Sequence, residues 1–558
     1  MGLQQPLHCT SACLPHRSTP AFVCARRWSV GLFLGVLLVL GAALHRDYGM
    51  GWDEPADKLN ALVSAKYVAL KLAPALAQRQ PRLAELPDLH QHRDADHGVL
   101  FMLPLVVAEA LWPGPDPALW AYWRHLLGFL LFVAGVWAVY RLGAAQQASW
   151  RWGLVGAGLL VLSPRIFAEA FYNYKDVVLF SLFALAMLTL TRLLREPTPG
   201  RALLHAMACA AAIDVRSIGV LLPLLTLGFG ALEAGCRPVR RRGLLVALAV
   251  YLPALAVFTV LGWPYLWENP GGNFLAALRS FSQYAKPLEV FYLGRFVSIQ
   301  QLPWHYAPVW IIITTPVPHV LAFLLGLGSL GWTLVQEGPR RWLRRTTARR
   351  QLLVLAWLAG PLLAVAVLHS AIYDGWRHLY FVYPAFVLLA VHGLRALWQA
   401  AQLTPRNLLQ PKARMLGARV LLVGTAFGTA QVVWRMASEH PYQYSYFSFL
   451  PGPVVEQNFE RDYWGLSTKQ GLQWVLAHDA RPQIPVSMDE ATGLTLLINL
   501  KMLAPAERAR LRIVSPAEAG YYFSIYRWHP GPYPASVGQP AHTIRVGGAA
   551  ILTVFRRP

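Results

Sequence analysis

Charge is scarce in this chain. Of its 558 residues only 14% are charged, and 28 acidic side chains stand against 50 basic ones, a formal net charge of +22. An ordinary soluble chain carries roughly 25% charged residues. With 55% hydrophobic residues and a mean hydropathy of +0.38, the shortage excludes a soluble globular protein. Cysteine is scarce too, at five. Cys9, Cys13 and Cys24 lie near the N-terminus, Cys209 in an apolar run and Cys236 beside an arginine cluster, a placement that builds no disulfide framework. His8, Cys9, Cys13 and His16 are metal-ligand types, but their spacing fits no standard zinc pattern. Internal repeats are not evident. There is no G-x-x-x-x-G-K-[ST] loop and no strand-framed G-x-G-x-x-G, so ATP-driven transport and dinucleotide chemistry have no support. A pI near 10.1 would point a soluble protein toward nucleic acid. In a chain this apolar, cytoplasmic loops that collect Lys and Arg explain it, and no nucleic-acid partner is expected.

Apolar runs of membrane-crossing length, about 17 to 25 residues, are abundant. The first, Trp28 to Leu44, follows Arg26 and Arg27. It is long for a signal-peptide core and lacks a clean small-x-small exit, so it reads as an anchor with its N-terminus inside. Further spans read as Leu119 to Tyr140, Trp152 to Phe167, Val177 to Leu194, Leu203 to Ile213, Ile218 to Leu232, Leu244 to Trp263, Val309 to Val335, Leu352 to His369, Leu379 to Trp398 and Val420 to Trp434. Three basic loops should be cytoplasmic: Arg237 to Arg242, Arg340 to Arg350, and the set Arg395, Arg406, Lys412 and Arg414. The count works if Val99 to Trp112 lies in the interface or re-enters rather than crossing. The expectation is an all-α polytopic membrane protein of about eleven transmembrane helices with a small C-terminal α/β domain. Its parts are a cytoplasmic tail 1–27, a membrane domain 28–436 with external loops 45–118 and 264–307, and an extracytoplasmic domain 437–558. That last part mixes a helical stretch, Lys469 to Ala477, with strand-like runs at Ile484 to Met488, Tyr521 to Tyr526 and Ala549 to Phe555.

Ionisable residues at the outer ends of the spans carry the functional signal. Asp53 and Glu54 sit just after the first span, where apolar surroundings tend to raise a carboxylate's pKa toward the range useful for a base; the bland alternative is a solvated loop. A second cluster, His90, His92, Arg93, Asp94, Asp96 and His97, contains a D-x-D that can hold a divalent ion with His92, or is a polar loop that meets a phosphate. Third come Arg165, Glu169, Tyr172, Asn173, Tyr174, Lys175 and Asp176, with Asp214 and Arg216 at the next turn reading as a simple ion pair. A fourth group interleaves Arg295 and His305 with Trp263, Tyr265, Trp267, Tyr292, Trp304 and Tyr306, a mix that suits a sugar and a phosphate, although interfacial Trp and Tyr are common in any membrane protein. Tyr373-Asp374-Gly375-Trp376-Arg377-His378 repeats that mix in a short loop.

An acidic pair after the first span, an interfacial helix in the first outer loop and a Lys-Asp at a later outer turn together resemble the GT-C glycosyltransferases, in the branch of protein O-mannosyltransferases and bacterial lipid A aminoarabinose transferases. The resemblance runs from about Trp28 to His378, with Asp53-Glu54 the best match. It implies transfer of a sugar from a polyprenyl phosphate carrier to a glycan, lipid or protein acceptor on the non-cytoplasmic face of a bacterial inner membrane, with inversion. It makes Asp53 the base or acceptor-positioning carboxylate, Glu54 its neighbour and Asp176 a second acidic residue, and matches Arg124 to an arginine often found there. The family's Lys-Pro-Pro or His-Pro-Pro before the interfacial helix reads His97-Gly98 here, leaving Arg93, His97, Lys175 and Arg295 as candidates for the phosphate contact. Tyr172, Asn173, Trp304, His305, Asp374 and Arg377 remain as sugar or acceptor contacts.

Residue chemistry agrees with transfer. A lipid phosphate leaving group needs cations rather than a strong acid, and an acceptor hydroxyl or amine needs a carboxylate in reach. No cofactor is required, and a divalent metal on Asp94, Asp96 and His92 is an optional addition. The rival reading is a transporter or flippase of a lipid-linked glycan, which predicts ionisable groups near the midplane and broken helices in matched halves.

Overall fold

The computed structural model describes residues 20–78, 81–114, 116–282, 287–402 and 409–557. The His8, Cys9, Cys13 and His16 set, most of the N-terminal tail and Arg406 lie outside the described residues. Among those described, nine helices are long and apolar enough to cross a membrane, or ten if a bent pair counts as one span. The eleven crossings expected from the apolar runs are therefore corrected by proline and length. Trp152 to Phe167 is that bent pair: a helix at Trp150–Val161 and a second at Pro164–Tyr172, turned by 71°. Pro164 has no N–H to continue the first helix, and the Ser163 hydroxyl instead donates to the Leu159 carbonyl at 2.9 Å. Val309 to Val335 is likewise divided at Pro316 into Tyr306–Thr314 and Val317–Glu337. Leu203 to Ile213 is the 15-residue helix Pro199–Ile213, about 22 Å long and short of the roughly 30 Å of hydrocarbon. Met102–Leu111 is a short apolar helix, too short to cross.

The helices share one apolar core that runs from Leu37 through Phe129, Phe180, Trp357 and Phe386 and continues without a break into Tyr444, Trp464 and Leu466. At the C-terminus five strands form a mixed sheet. Two strands elsewhere come first in the chain, β1 (Glu289–Tyr292) and β2 (Arg295–Ser298), an antiparallel hairpin. Its turn residues Leu293 and Gly294 both take left-handed φ, +51° and +79°, which matches the twist of a two-residue hairpin. The C-terminal sheet orders β4 (Leu511–Ile513), β3 (Ile484–Met488), β5 (Tyr521–Ser524), β7 (Ala549–Arg556) and β6 (Gln539–Val546). β3 runs parallel to β4 and β5, while β7 pairs antiparallel with β5 and β6. Seven of the eight β7 residues are buried, as a central strand covered on both faces must be.

Side chains of this sheet domain hydrogen-bond the backbone of the loop after the first helix. Lys469, on the helix Ser467–His478, donates to the Arg46 carbonyl at 2.5 Å, Gln470 to Asp47 at 2.8 Å, and Asn499 both accepts from the Met50 N–H at 2.9 Å and donates to its carbonyl at 3.3 Å. The loop that ends in Asp53 is therefore held from above by the C-terminal domain and from below by the helices.

Candidate functional site

The helix Glu54–Leu72 begins with carboxylates: Asp53 is its N-cap, and Glu54 and Asp57 lie in its first turn behind Pro55. Proline at the start needs no N–H partner, and negative side chains there meet the positive end of the helix dipole. A second helix, Asp176–Arg195, opens on Asp176, whose N–H donates to the Asn173 side-chain oxygen at 2.8 Å while the Asn173 amide donates to Asp176 at 3.1 Å and to Glu169 at 2.8 Å. The third component is the loop before the helix Tyr383–Ala401. There Asp374 and Gly375 both take left-handed φ, +57° and +71°, a fold that aspartate tolerates and glycine adopts freely. The turn points Asp374 back at Arg377, 3.0 Å away.

Arg377 is the hub. Its guanidinium, 2% exposed, donates to Asp53 at 2.7 Å and to Asp176 at 3.3 Å as well as meeting Asp374. Its faces lie over Tyr373 and Trp464, 5.0 and 4.8 Å from the ring centroids. Around it, Arg216 pairs with Asp176, Lys175 with Asp57, and Arg527 of the C-terminal domain with Asp374 at 2.7 Å. Arg124 donates to Glu54 at 2.7 Å and to Glu109 at 3.1 Å. The side chains of Glu54, Asp57, Asp176 and Asp374 are 1 to 7% exposed, whereas Asp53 is 33% exposed. Asp53 is thus the carboxylate of the cluster that an arriving molecule can touch.

Electrostatics separate the carboxylates. Burial pushes Asp53 up, but Arg377, Lys175 and Arg527 outweigh it and hold the acid at about 2. Burial raises Glu54 against the pull of Arg124, and Asp57 against that of Lys175. So the raised pKa expected of the first-loop pair falls on Glu54 and the unforeseen Asp57, and not on Asp53. Glu460 is pushed up to about 8 by burial and by the nearby charge of Asp374.

Of the residues singled out in the sequence, Asp53, Glu54, Arg124, Asn173, Lys175, Asp176, Asp374 and Arg377 meet in this cluster. Tyr172 borders it, its ring edge-on to Trp464 at 5.4 Å, and His97 lies at its margin, 3.1 Å from Asp96 with its carbonyl accepting from Asn60. Others do not join. Arg93 is exposed, and Arg295 is exposed at the start of β2. His305 is taken by the Tyr292 hydroxyl at 2.7 Å, and Trp304 is 73% exposed. Among the described residues no group of three or more His, Cys, Asp or Glu side chains is gathered as for a metal ion, so His92, Asp94 and Asp96 do not form the ligand set the D-x-D spacing suggested. The expected Asp214–Arg216 pair is corrected as well, since Arg216 reaches Asp176 instead. Asp57, Arg527 and Glu460 were missed. Asp57 carried a signal, three residues after Glu54 on the same helical face.

Beyond the partly exposed Asp53, Lys175 and Arg216, the cluster is tightly packed. The cavity beside it, lined by Asp57, Asn60, Gly98, Met102, Tyr174 and Lys175, has about 20 Å³, room for a single water.

No family model and no curated protein matches the chain. Among solved structures it is similar over 95% of its length to ArnT from Cupriavidus metallidurans bound to undecaprenyl phosphate, at 16% identity, 98% of that chain and a TM-score of 0.45. The same protein in the apo state gives 14% identity, the same coverages and 0.49. The arabinofuranosyltransferase AftD from Mycobacteria gives 16% identity over 95% of this chain and 40% of its own, with a TM-score of 0.39. Likeness this distant transfers no function by itself.

Proposed function

We propose that this chain is a multi-pass membrane glycosyltransferase that moves a hexose or pentose from a polyprenyl phosphate carrier to a glycan, lipid or protein acceptor, inverting the anomeric carbon. The observation that carries the reading is the single buried arginine shared by three aspartates, only one of which is open to an incoming molecule.

Such a hub is what a phosphate donor needs. A donor phosphate drawn to Arg377, Lys175 and Arg216 takes over part of the positive charge that now holds Asp53 down. Asp53 then becomes more basic at the moment the leaving group is neutralised. An acceptor oxygen or nitrogen attacks C1, the C1–O bond to phosphate breaks toward the arginines, and the acceptor's proton goes to Asp53. Glu54 and Asp57 hold Arg124 and Lys175 in place. The room for one water means that the seam between Asn60, Met102 and Lys175 opens to admit the donor. The arginine-rich loops support a cytoplasmic location for the opposite end of the bundle, and with it a site on the outer face of a bacterial inner membrane. The ionisable cluster at one end of the bundle favours an enzyme over a flippase, whose ionisable groups are expected near the midplane.

The test is transfer of radiolabelled sugar from a panel of polyprenyl phosphate sugars in membranes carrying the wild type or Asp53→Asn, with and without chelator. Label reaching an acceptor only with Asp53 intact supports the reading and identifies the sugar. No donor consumed, with the variant behaving as wild type in cells, moves the transporter ahead.

A further inference from the structure

Asp176 opens its helix and Arg195 closes it, about 30 Å away along the axis. At that far end the structure has a second charged cavity, and its chemistry is the reverse of the first. A space of about 130 Å³ is walled by Leu142, Met187, Leu188, Val354, Trp357 and Leu388, and its mouth carries Arg141, Arg192, Arg195 and Arg350. Across Arg195, Arg350 and Leu353 it adjoins a space of about 230 Å³ bounded by Arg237, Arg240, Thr346 and Arg349.

The arginines of the first cluster, Arg377, Arg216, Arg124 and Arg527, are each matched to a carboxylate, and these are not. In the second space Glu233 is claimed by Arg349, at 2.6 and 3.2 Å, and by Arg237 at 3.6 Å. Among the described residues the Arg195 side chain pairs with Glu196 alone, at 3.3 Å, with both side chains about half exposed or more. Among the described residues Arg141, Arg192 and Arg350 make no ion pair. Arg141 and Arg192 share the ring of Trp137, at 5.3 and 5.9 Å, and Arg350 makes one long hydrogen bond to the Ala145 carbonyl at 3.4 Å. Like charges facing one space without a carboxylate repel, and a bound anion relieves that repulsion.

We propose that this pocket holds the phosphate of an anionic glycerophospholipid from the leaflet at the arginine-rich end, with the start of an acyl chain against Leu142, Leu188, Val354 and Trp357. Three features select this occupant. The guanidinium fork suits phosphate oxygens. Behind its arginines the first space presents mainly apolar side chains, with Gln146 and Thr191 as its uncharged polar ones, a lining that suits an acyl chain below a phosphate better than the base and hydroxyls of a nucleotide sugar. The wall is apolar and lies at the ends of membrane-length helices, the position where basic pockets between helices meet lipid head groups. The site is independent of the transfer chemistry proposed above.

Native mass spectrometry of the full chain in detergent, titrated with phosphatidylglycerol and, separately, with phosphatidylcholine of the same chains, tests it. Wild type should retain one phosphatidylglycerol in preference to phosphatidylcholine. Affinity should fall about fivefold for each of Arg141→Ala, Arg192→Ala and Arg350→Ala, while Arg141→Lys keeps most of it. Arg340→Ala with Arg341→Ala, exposed arginines outside the pocket, should change nothing. Thermal midpoints of each variant in detergent confirm that the protein remains folded; a variant that does not is replaced in the comparison by its lysine counterpart. Equal retention of the two lipids, or equal loss in the Arg340/Arg341 control, overturns the proposal. Displacement of the lipid by millimolar inorganic phosphate also overturns it, in favour of a soluble-phosphate site.

Discussion

The two ends of the bundle treat arginine in opposite ways. At one, Arg377, Arg216, Arg124 and Arg527 are each spent on carboxylates. At the other, Arg141, Arg192 and Arg350 face a cavity with no acid of their own. A saturated network is rigid and holds one carboxylate at a fixed place and a fixed charge. An unsaturated one is a receptor, because its free energy is lowest only when an anion arrives. The same residue type therefore serves positioning at one end and capture at the other.

Breaking the hub should have the largest effect. Arg377→Gln leaves three carboxylates around a vacated charge, costing about 3 to 5 kcal/mol of stability and abolishing transfer, read by thermal unfolding and by the sugar-transfer assay. Asp53→Asn sharpens the contrast. Transfer should fall about 10²- to 10⁴-fold with a smaller drop in the thermal midpoint than for Arg377→Gln, since Asp53 is the exposed member of the set and Arg377 keeps Asp176 and Asp374. At the arginine-rich end, Glu233→Gln strands the buried Arg349, so the midpoint should drop as it does for the hub, whereas Arg141→Ala should leave it unchanged without lipid. The smallest effect is a slope. The folded-state pKa of Glu460 is raised to about 8, so the folded chain binds a proton that the unfolded chain releases near 4.5. Its contribution is full below about 4.5 and is lost as pH rises through 8. Glu460→Gln should therefore raise the midpoint at pH 8.5 and leave it nearly unchanged at pH 4.5.

Sequence reading reached the pieces of the site that lie beside an apolar run. Asp53 and Glu54 stand out because two acids directly after a span are costly to place without a purpose, and Asp374 with Arg377 because their loop is so short. Partnerships were another matter. Arg216 is two residues from Asp214, yet the backbone turns it toward Asp176, a choice made by the approach of two helices that no local spacing reveals. Arg527 was invisible because it arrives from a domain with no helix periodicity to place it. Tyr292, Arg295 and Trp304 misled for a simpler reason: hairpin turns and membrane interfaces favour the same aromatic and polar mixture that binds sugars. Span counting failed only at prolines and at one short helix, where hydropathy averaged over a window does not register a missing N–H.

The hold of the C-terminal domain on the first loop also sets a schedule. Asp53 leaves the ribosome well before Trp464 and Arg527, which close over Arg377 and Asp374. At 5 to 20 residues per second the two halves of the site emerge about 20 to 95 s apart. During that interval the carboxylates stand without their roof, so a chain interrupted before Arg527 carries its acids but not the arrangement that makes them useful. Synthesis past Arg527 is in this way the switch that assembles the site.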